Sequence, residues 1–237
     1  MRGQGIGLVA GSRLHQSDNV PVHIGSATFP TKSLWRDILS AMTTRHLSDF
    51  EIQEARRVFG DGLDYTQVRV VERNYFPNLV ADIGAALQGK KRTWDNGITL
   101  GNHVMFPRVL RTEAAVVDGG DLMDIGWLMH ELTHAWQFQR VGWRYLVETL
   151  GVQIKLGMSC YNYQGNHATK AKAVREACTR GQDIEHFNFE QQGDFSRDYY
   201  FELRAGREHD AWEPLVNSFR SKRHPLVKRK RASNAAA

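Results

Sequence analysis

The stretch from Leu122 to Arg140 constrains the fold more than any other feature of the sequence. Its apolar residues recur at helical spacing and lie on more than one side of the helix they predict; they are Leu122, Ile125, Leu128, Met129, Leu132, Ala135, Trp136 and Phe138. A helix that is apolar on several sides is usually buried, and we expect Asp121 or a neighbour to cap it. The same stretch contains two histidines and a glutamate, which are costly to bury without partners.

The two histidines stand four residues apart in this helix, at His130 and His134. That spacing puts both imidazoles on one face, one turn apart, where they can share one Zn²⁺ ion. Glu131 follows the first histidine, and a carboxylate beside the ligand pair can take a proton from a water that the metal activates. This His-Glu-x-x-His pattern predicts a zinc site. The alternative is two ordinary histidines around a glutamate that forms a salt bridge.

A catalytic zinc ion needs a third protein ligand and one open position. The downstream candidates for this ligand are Asp183, Glu185, His186, Glu190 and Asp194. We favour Glu190, because it begins a predicted helix on which Asp194 lies one turn later on the same face. One carboxylate could bind the metal while the other accepts a hydrogen bond from a ligand histidine and orients its ring. The alternatives are His186 as the ligand, or a Glu190 that only favours a helix start.

The remaining periodicity predicts early strands and late helices, which favours an α+β fold over an alternating α/β fold. Ser48 and Glu51 form a capping-box pattern for a helix that ends at Gly60. The predicted strands are residues 67–72 and 98–106; the other predicted helices are 33–42, 143–150, 168–178, 188–203 and 211–219; residues 151–167 are predicted to be a loop.

The length of 237 residues fits one domain with tails. We predict an irregular N-terminal arm over residues 1–30, a folded domain over 31–219 and a basic disordered tail over 220–237. Seven of the 31 Lys and Arg residues lie between Arg220 and Arg231, which leaves 24 basic against 26 acidic residues elsewhere. The formal charge of +5 therefore comes from the tail, and we do not expect nucleic acid as a partner of the domain.

Neither membrane insertion nor cleaved export is indicated. No stretch approaches the roughly 20 apolar residues that a membrane helix needs, so we expect no membrane partner. The apolar run from Gly5 to Gly11 is short and rich in glycine, unlike the core of a signal peptide. We expect a cytoplasmic protein, with secretion by a route that needs no cleaved signal peptide left open.

These motifs together resemble a known group of enzymes. A His-Glu-x-x-His helix followed by Glu-x-x-x-Asp on a second helix looks like the gluzincin branch of zinc metallopeptidases. The sequence around these motifs is similar to small bacterial zincin-like proteins, some of them Vgr-related and associated with type VI secretion. The similar segments include Val58-Phe59-Gly60-Asp61, Leu132-Thr133-His134-Ala135-Trp136-Gln137 and Phe189-Glu190-Gln191-Gln192. The resemblance covers about residues 45 to 205.

The resemblance implies a zincin-like fold, mostly helical, with a small antiparallel or mixed sheet beside the His-Glu-x-x-His helix. It implies that His130, His134 and Glu190 bind zinc, that Glu131 is the general base and that Asp194 orients a histidine. The expected activity is a zinc metallopeptidase that cleaves a peptide or amide bond, with secretion-apparatus proteins as further partners. The alternative is a catalytically weak zinc-binding structural or adaptor module of a secretion or contractile-injection apparatus, because little chain is left to build a substrate cleft.

Peptide hydrolysis also needs a group that stabilises the tetrahedral oxyanion. The candidates near the third ligand or in the loop before it are Tyr161, Tyr163, His186, Arg197, Tyr199 and Tyr200. Aromatic residues in such positions are more often part of the core. We further expect residues 98–106 to be able to pair with an extended peptide by strand addition.

Overall fold

The computed structural model describes residues 23–24, 27–28, 44–87, 89, 91, 95–207 and 209–221. The chain forms two compact units, Met1–Met42 and Thr43–Ala237. In the first unit, β1 (His23–Ile24) pairs antiparallel with β2 (Ala27–Thr28). The helix predicted over 33–42 and the tail after residue 221 lie outside the described residues.

The second unit contains a three-stranded mixed sheet. Its strands are β3 (Arg69–Val71), β4 (Ile98–Leu100) and β5 (His103–Met105). β5 is central, and it runs parallel to β3 and antiparallel to β4. The described part of the fold is thus α+β with a small mixed sheet, as predicted.

The prediction of one strand over residues 98–106 was wrong. The chain reverses at Gly101-Asn102, so that β4 and β5 form a hairpin, and Gly101 has a φ of +66°. Glycine adopts this conformation without the steric penalty that a side chain would meet. The apolar residues on both sides of the turn made the two strands look continuous in the sequence.

Helices make up most of the second unit. They are α1 (Asp49–Phe59), α2 (Phe76–Leu87), α3 (Ala114–Asp118), α4 (Met123–Val141), α5 (Arg144–Leu156), α6 (Lys170–Thr179), α7 (Phe189–Arg204) and α8 (Glu213–Arg220), with short 3-10 helices at Gly157–Tyr161 and Ile184–His186. Among the described residues, no helix is long and apolar enough to cross a membrane. The predicted loop over 151–167 was wrong in its first part, because α5 and the 3-10 helix after it continue to Tyr161.

Two helices begin with capping boxes, of which the sequence predicted the first. At α1, the Ser48 hydroxyl accepts a hydrogen bond from the Glu51 amide at 3.2 Å, and Glu51 accepts one from the Ser48 amide at 2.8 Å. At α7, Asn188 and Gln191 exchange the same pair of bonds at 2.9 and 3.1 Å. These contacts satisfy amides that a helix start leaves without partners, and they fix the first turn of α7. The cap residue of α4 is Leu122, the neighbour of Asp121, and the Asp121 carboxylate accepts a hydrogen bond from the Met123 amide at 3.3 Å.

The end of the folded unit includes Arg220, which the sequence placed in the tail. Arg220 ends α8 and forms a salt bridge with Glu213 at 2.8 Å. It also donates hydrogen bonds to the Tyr199 hydroxyl at 2.8 Å and to the Arg57 carbonyl at 2.9 Å. This arginine therefore holds α8 against α7 and α1.

The core is built around α4, which packs against α7, β4, β5, α5 and α1. Its buried aromatic ring Trp136 meets Phe219 of α8 edge-on, with ring centroids 4.9 Å apart, and donates a hydrogen bond to the Phe219 carbonyl at 3.0 Å. The large side chains that are almost fully buried include Phe59, Phe106, Tyr145, Phe195, Tyr199 and Tyr200. The predicted buried helix is thus confirmed, and it is the central element of the unit.

The α4–α7 crossing is close because small residues lie on it. The Thr133 hydroxyl of α4 donates to the Ser196 hydroxyl of α7 at 2.7 Å, and Ser196 approaches the Met129 carbonyl at 3.1 Å. Gly193 of α7 faces the imidazole of His130, and a Cβ atom added at Gly193 would lie 2.6 Å from His130 Cε1. Only glycine leaves room for that ring.

We predict that Gly193→Ala destabilises the protein by about 1–3 kcal/mol, because the added methyl group overpacks a crossing that cannot open. The free energy of unfolding in urea measures this. The matched control is Gly151→Ala, on the exposed side of α5, where an added Cβ has nothing within 4 Å. That change should stabilise by about 0.5–1 kcal/mol, the helix preference for alanine over glycine. Equal stabilities for the two variants would contradict the close crossing.

Candidate metal centre

Three buried side chains meet where α4 crosses α7. Ligand atoms of His130, His134 and Glu190 all lie within 4.8 Å of one another. Glu190 Oε2 is 3.2 Å from His130 Nε2 and 3.5 Å from His134 Nε2. The helical spacing puts both rings on one face of α4, and the capping box of α7 puts Glu190 in the first turn opposite them.

Asp194 orients the ring of His130. Its Oδ1 lies 3.0 Å from His130 Nδ1. Because an ionised carboxylate only accepts hydrogen bonds, Nδ1 donates and Nε2 faces Glu190. Arg197 holds the other oxygen of Asp194 at 2.9 Å. The two helices therefore fix the direction in which Nε2 points.

Glu131 lies beside the two histidines and is buried. The hydroxyl of Thr99, on the edge strand β4, donates to Glu131 Oε2 at 2.7 Å. This bond holds the carboxylate in the cavity that His130, His134 and Glu190 also line. The structure thus brings together all five residues that the sequence nominated, and it leaves His186 exposed and paired with Asp183.

The charges of this cluster depend on one another. Burial disfavours the imidazolium form of His130, but hydrogen bonds to Asp194 and Glu190 outweigh it and raise its pKa to about 10. Burial likewise opposes a charged His134, and its pKa is nevertheless raised, by Glu190. Burial raises the pKa of Glu131. At Glu190 burial also favours a higher pKa, but the two histidines outweigh it and lower the pKa. The buried carboxylates therefore need positive charge next to them.

The donor set fits a divalent zinc ion. Ligands at about 2.1 Å from a tetrahedral ion lie roughly 3.4 Å from one another, and the distances from Glu190 to the two histidines are 3.2 and 3.5 Å. Two imidazoles and one carboxylate suit zinc. An ion there would supply the positive charge that the carboxylates need, with both imidazoles neutral.

A small cavity of about 50 Å³ adjoins the cluster. β4 lines one side of it, and α5 lines the other through Tyr145, Leu146, Thr149 and Gln153. The Thr149 hydroxyl is buried without a hydrogen-bond partner among the described residues. A volume of this size holds one or a few water molecules. The cavity therefore has room for a water molecule that would pair with the Thr149 hydroxyl.

Of the residues considered for oxyanion stabilisation, Tyr161 lines this cavity. Its hydroxyl accepts a hydrogen bond from Gln153 Nε2 at 3.2 Å, and the same amide nitrogen donates to Glu190 Oε1 at 2.7 Å. Burial, followed by the charge of Glu190, raises the pKa of Tyr161, so its hydroxyl stays protonated.

The other oxyanion candidates make structural contacts. Tyr163 stacks on Phe195 with ring centroids 4.1 Å apart. Tyr199 donates to Glu213 at 2.6 Å, and Tyr200 donates to Glu54 at 2.7 Å. These tyrosines belong to the core, as the sequence favoured.

Sequence reasoning missed Thr99, Tyr145, Gln153 and Gln137, which contact the cluster. Gln137 lies 2.8 Å from His134 Nδ1. One available signal was its position, one turn after His134 on the same face of a helix that is otherwise apolar there. The other three lie on β4 and α5, and nothing in the sequence shows that these elements pack against the histidines.

Strand addition at β4 meets an obstacle that the sequence did not reveal. The Tyr145 hydroxyl donates a hydrogen bond to the Thr99 carbonyl. An added peptide strand could use that carbonyl only after displacing the hydroxyl. Substrate pairing at this strand stays a prediction.

Comparison with known proteins relates the chain to one secretion protein. No protein-family model matches it. Over 160 residues, 67% of this chain, it is 32% identical to the type VI secretion system spike protein VgrG2b of Pseudomonas aeruginosa, and it spans 13% of that protein's length. A solved structure, the effector domain of Pseudomonas aeruginosa VgrG2b, matches with a TM-score of 0.48 and 26% identity, over 78% of this chain and 90% of that domain. The chain is thus homologous to a segment of a type VI secretion spike protein.

Proposed function

We propose that this protein is a zinc-dependent hydrolase of peptide or amide bonds, associated with a type VI secretion system. The observation that carries the proposal is the buried triangle of His130, His134 and Glu190 at zinc-ligand spacing, with the Glu131 carboxylate lining the same cavity. Zincin-like chemistry needs these four groups on one small site, and two packed helices hold them here.

The side chains have separable roles in this reaction. Zinc would polarise the substrate carbonyl and lower the pKa of a water molecule. Glu131 accepts the proton of the attacking water and returns it to the leaving nitrogen, and burial, which raises its pKa, favours both transfers. Thr99 keeps the Glu131 carboxylate in place. Tyr161, held by Gln153, donates a hydrogen bond to the oxyanion.

The secretion part of the proposal rests on sequence similarity. The 32% identity to the spike protein VgrG2b supports delivery with, or attachment to, a type VI spike. Such delivery needs no cleaved signal peptide. A peptide or protein in the compartment that the apparatus reaches is then the substrate class.

We predict that protein purified without added metal contains about one zinc ion per chain and that Glu190→Ala loses it, because the site then has two ligands instead of three. Elemental analysis by mass spectrometry measures the content. Glu185→Ala, at an exposed carboxylate before α7, is the matched control and should retain zinc. Glu190→Gln serves if the alanine variant does not fold. A wild-type protein that neither contains nor takes up zinc would refute the metal centre.

We predict that Glu131→Gln retains zinc but lowers turnover by about 10²- to 10⁴-fold, the usual contribution of a positioned general base. Mass spectrometry of new termini in a mixture of denatured proteins measures turnover. Glu148→Gln, on the exposed side of α5, should match the wild type. Full activity in the Glu131 variant would exclude this mechanism.

We predict that Tyr161→Phe lowers kcat by about 10²- to 10³-fold with little change in KM, because one oxyanion donor is lost while the ground state binds as before. Steady-state kinetics measures both constants on a substrate identified by the analysis of new termini. Tyr163→Phe, in the neighbouring core position, is the control. If both tyrosine variants had the same kcat, Tyr161 would have no catalytic role.

A catalytically weak zinc module of the secretion apparatus is the second candidate. The small cavity, about 50 Å³, favours it, because a peptide side chain does not fit without rearrangement. This function predicts that type VI spike proteins bind the Glu131→Gln variant and the wild type equally, and that neither releases new termini from proteins. Cleavage by the wild type alone would decide for the hydrolase.

A further inference from the structure

The ring of His134 makes a contact whose direction decides which nitrogen can bind metal. His134 Nδ1 lies 2.8 Å from Gln137 Oε1. A neutral imidazole carries its proton on one nitrogen and a lone pair on the other, and the partner of each nitrogen selects the tautomer. The orientation of the Gln137 amide therefore determines what His134 presents to Glu190.

Backbone carbonyls fix that orientation. Gln137 Nε2 donates to the Phe189 carbonyl at 3.0 Å and to Gln192 Oε1 at 3.0 Å. Gln192 Nε2 in turn donates to the carbonyls of Ile184 and Phe187, at 3.1 and 3.0 Å. A backbone carbonyl only accepts hydrogen bonds. Rotating either amide by half a turn would place two oxygens against each other, so the assignment follows from the main chain.

We propose that Gln137 and Gln192 form an amide relay that keeps the proton of His134 on Nδ1 and so turns the Nε2 lone pair toward the metal. The inference rests on the proposed zinc site. The amide oxygen of Gln137 can only accept, so Nδ1 must donate. The relay does for His134 what Asp194 does for His130, with a neutral amide in place of a carboxylate.

The relay also connects the second ligand histidine to the third ligand. Its anchoring carbonyls lie in the segment from Ile184 to Phe189, directly before Glu190. Gln137 and Gln192 are both fully or almost fully buried, and buried amides are costly to leave without partners. A change at Gln192, which does not touch a ligand, should therefore reach the metal through Gln137.

The test is the zinc dissociation constant, measured by competition with a chromophoric chelator. Gln137→Leu should weaken zinc binding by about 10- to 100-fold, as is usual when the partner of a ligand histidine is removed. Gln192→Leu should weaken it less. The double variant should be no weaker than Gln137→Leu alone, because residues in one hydrogen-bond network are not additive. Gln139→Leu is the matched control: Gln139 lies on the same helix and bonds to Asp64 and Asn102 instead.

Unfolding of the zinc-free variants separates positioning from simple packing. Circular dichroism and urea titration show whether each variant folds, and Gln137→Met replaces a leucine variant that does not. If the two glutamines only joined α4 to α7, replacing them would lower the stability of the zinc-free protein and leave its zinc affinity unchanged. That result would overturn the relay. Fully additive losses of affinity would also overturn it. If the wild type bound no zinc, both the metal centre and the relay would be refuted. If the wild type and the variants all bound zinc equally tightly, only the relay would be refuted.

Discussion

The structure depends on the crossing of α4 and α7, where ionisable groups are buried between two helices in contact. His130 lies against Gly193 and is held by Asp194 and Glu190 at 3.0 and 3.2 Å. Removing one member of such a cluster leaves an unpaired buried charge, whereas replacing the whole cluster with apolar residues is often neutral or stabilising. Stability alone therefore does not explain why these residues are here. The proposed metal site would explain them, because it needs these ligands in a place without bulk water.

Local rules predicted much of this arrangement. The capping box at Ser48 marked the start of α1, because the bonds it makes join residues three apart in sequence. That His130 and His134 share one face of α4 could be predicted from the helical period alone, because residues four apart lie one turn apart. These features come from the chain's own geometry, so they can be read before any tertiary contact is known.

The features that the sequence did not predict depend on tertiary contacts. Thr99 and Gln153 reach the cluster from β4 and α5, two elements other than the helices that carry its ligands. The turn at Gly101-Asn102 was missed because the apolar run continues beyond it on both sides, although a Gly-Asn pair between two such runs is itself a hairpin signal.

The close packing of α5 against β4 limits the size of the molecule that the cavity can admit. Its cavity of about 50 Å³ suits water and not a peptide, and the hydrogen bond from Tyr145 to the Thr99 carbonyl closes the edge strand. Thr99 also donates a hydrogen bond to Glu131 at 2.7 Å, so one residue of β4 contacts both the Glu131 carboxylate and the Tyr145 hydroxyl. A peptide that replaced the Tyr145 hydroxyl on that carbonyl would exchange one hydrogen bond for another. A site that acted on a protein chain, as proposed, would therefore require α5 to move away from β4, because the cavity between them has room only for water.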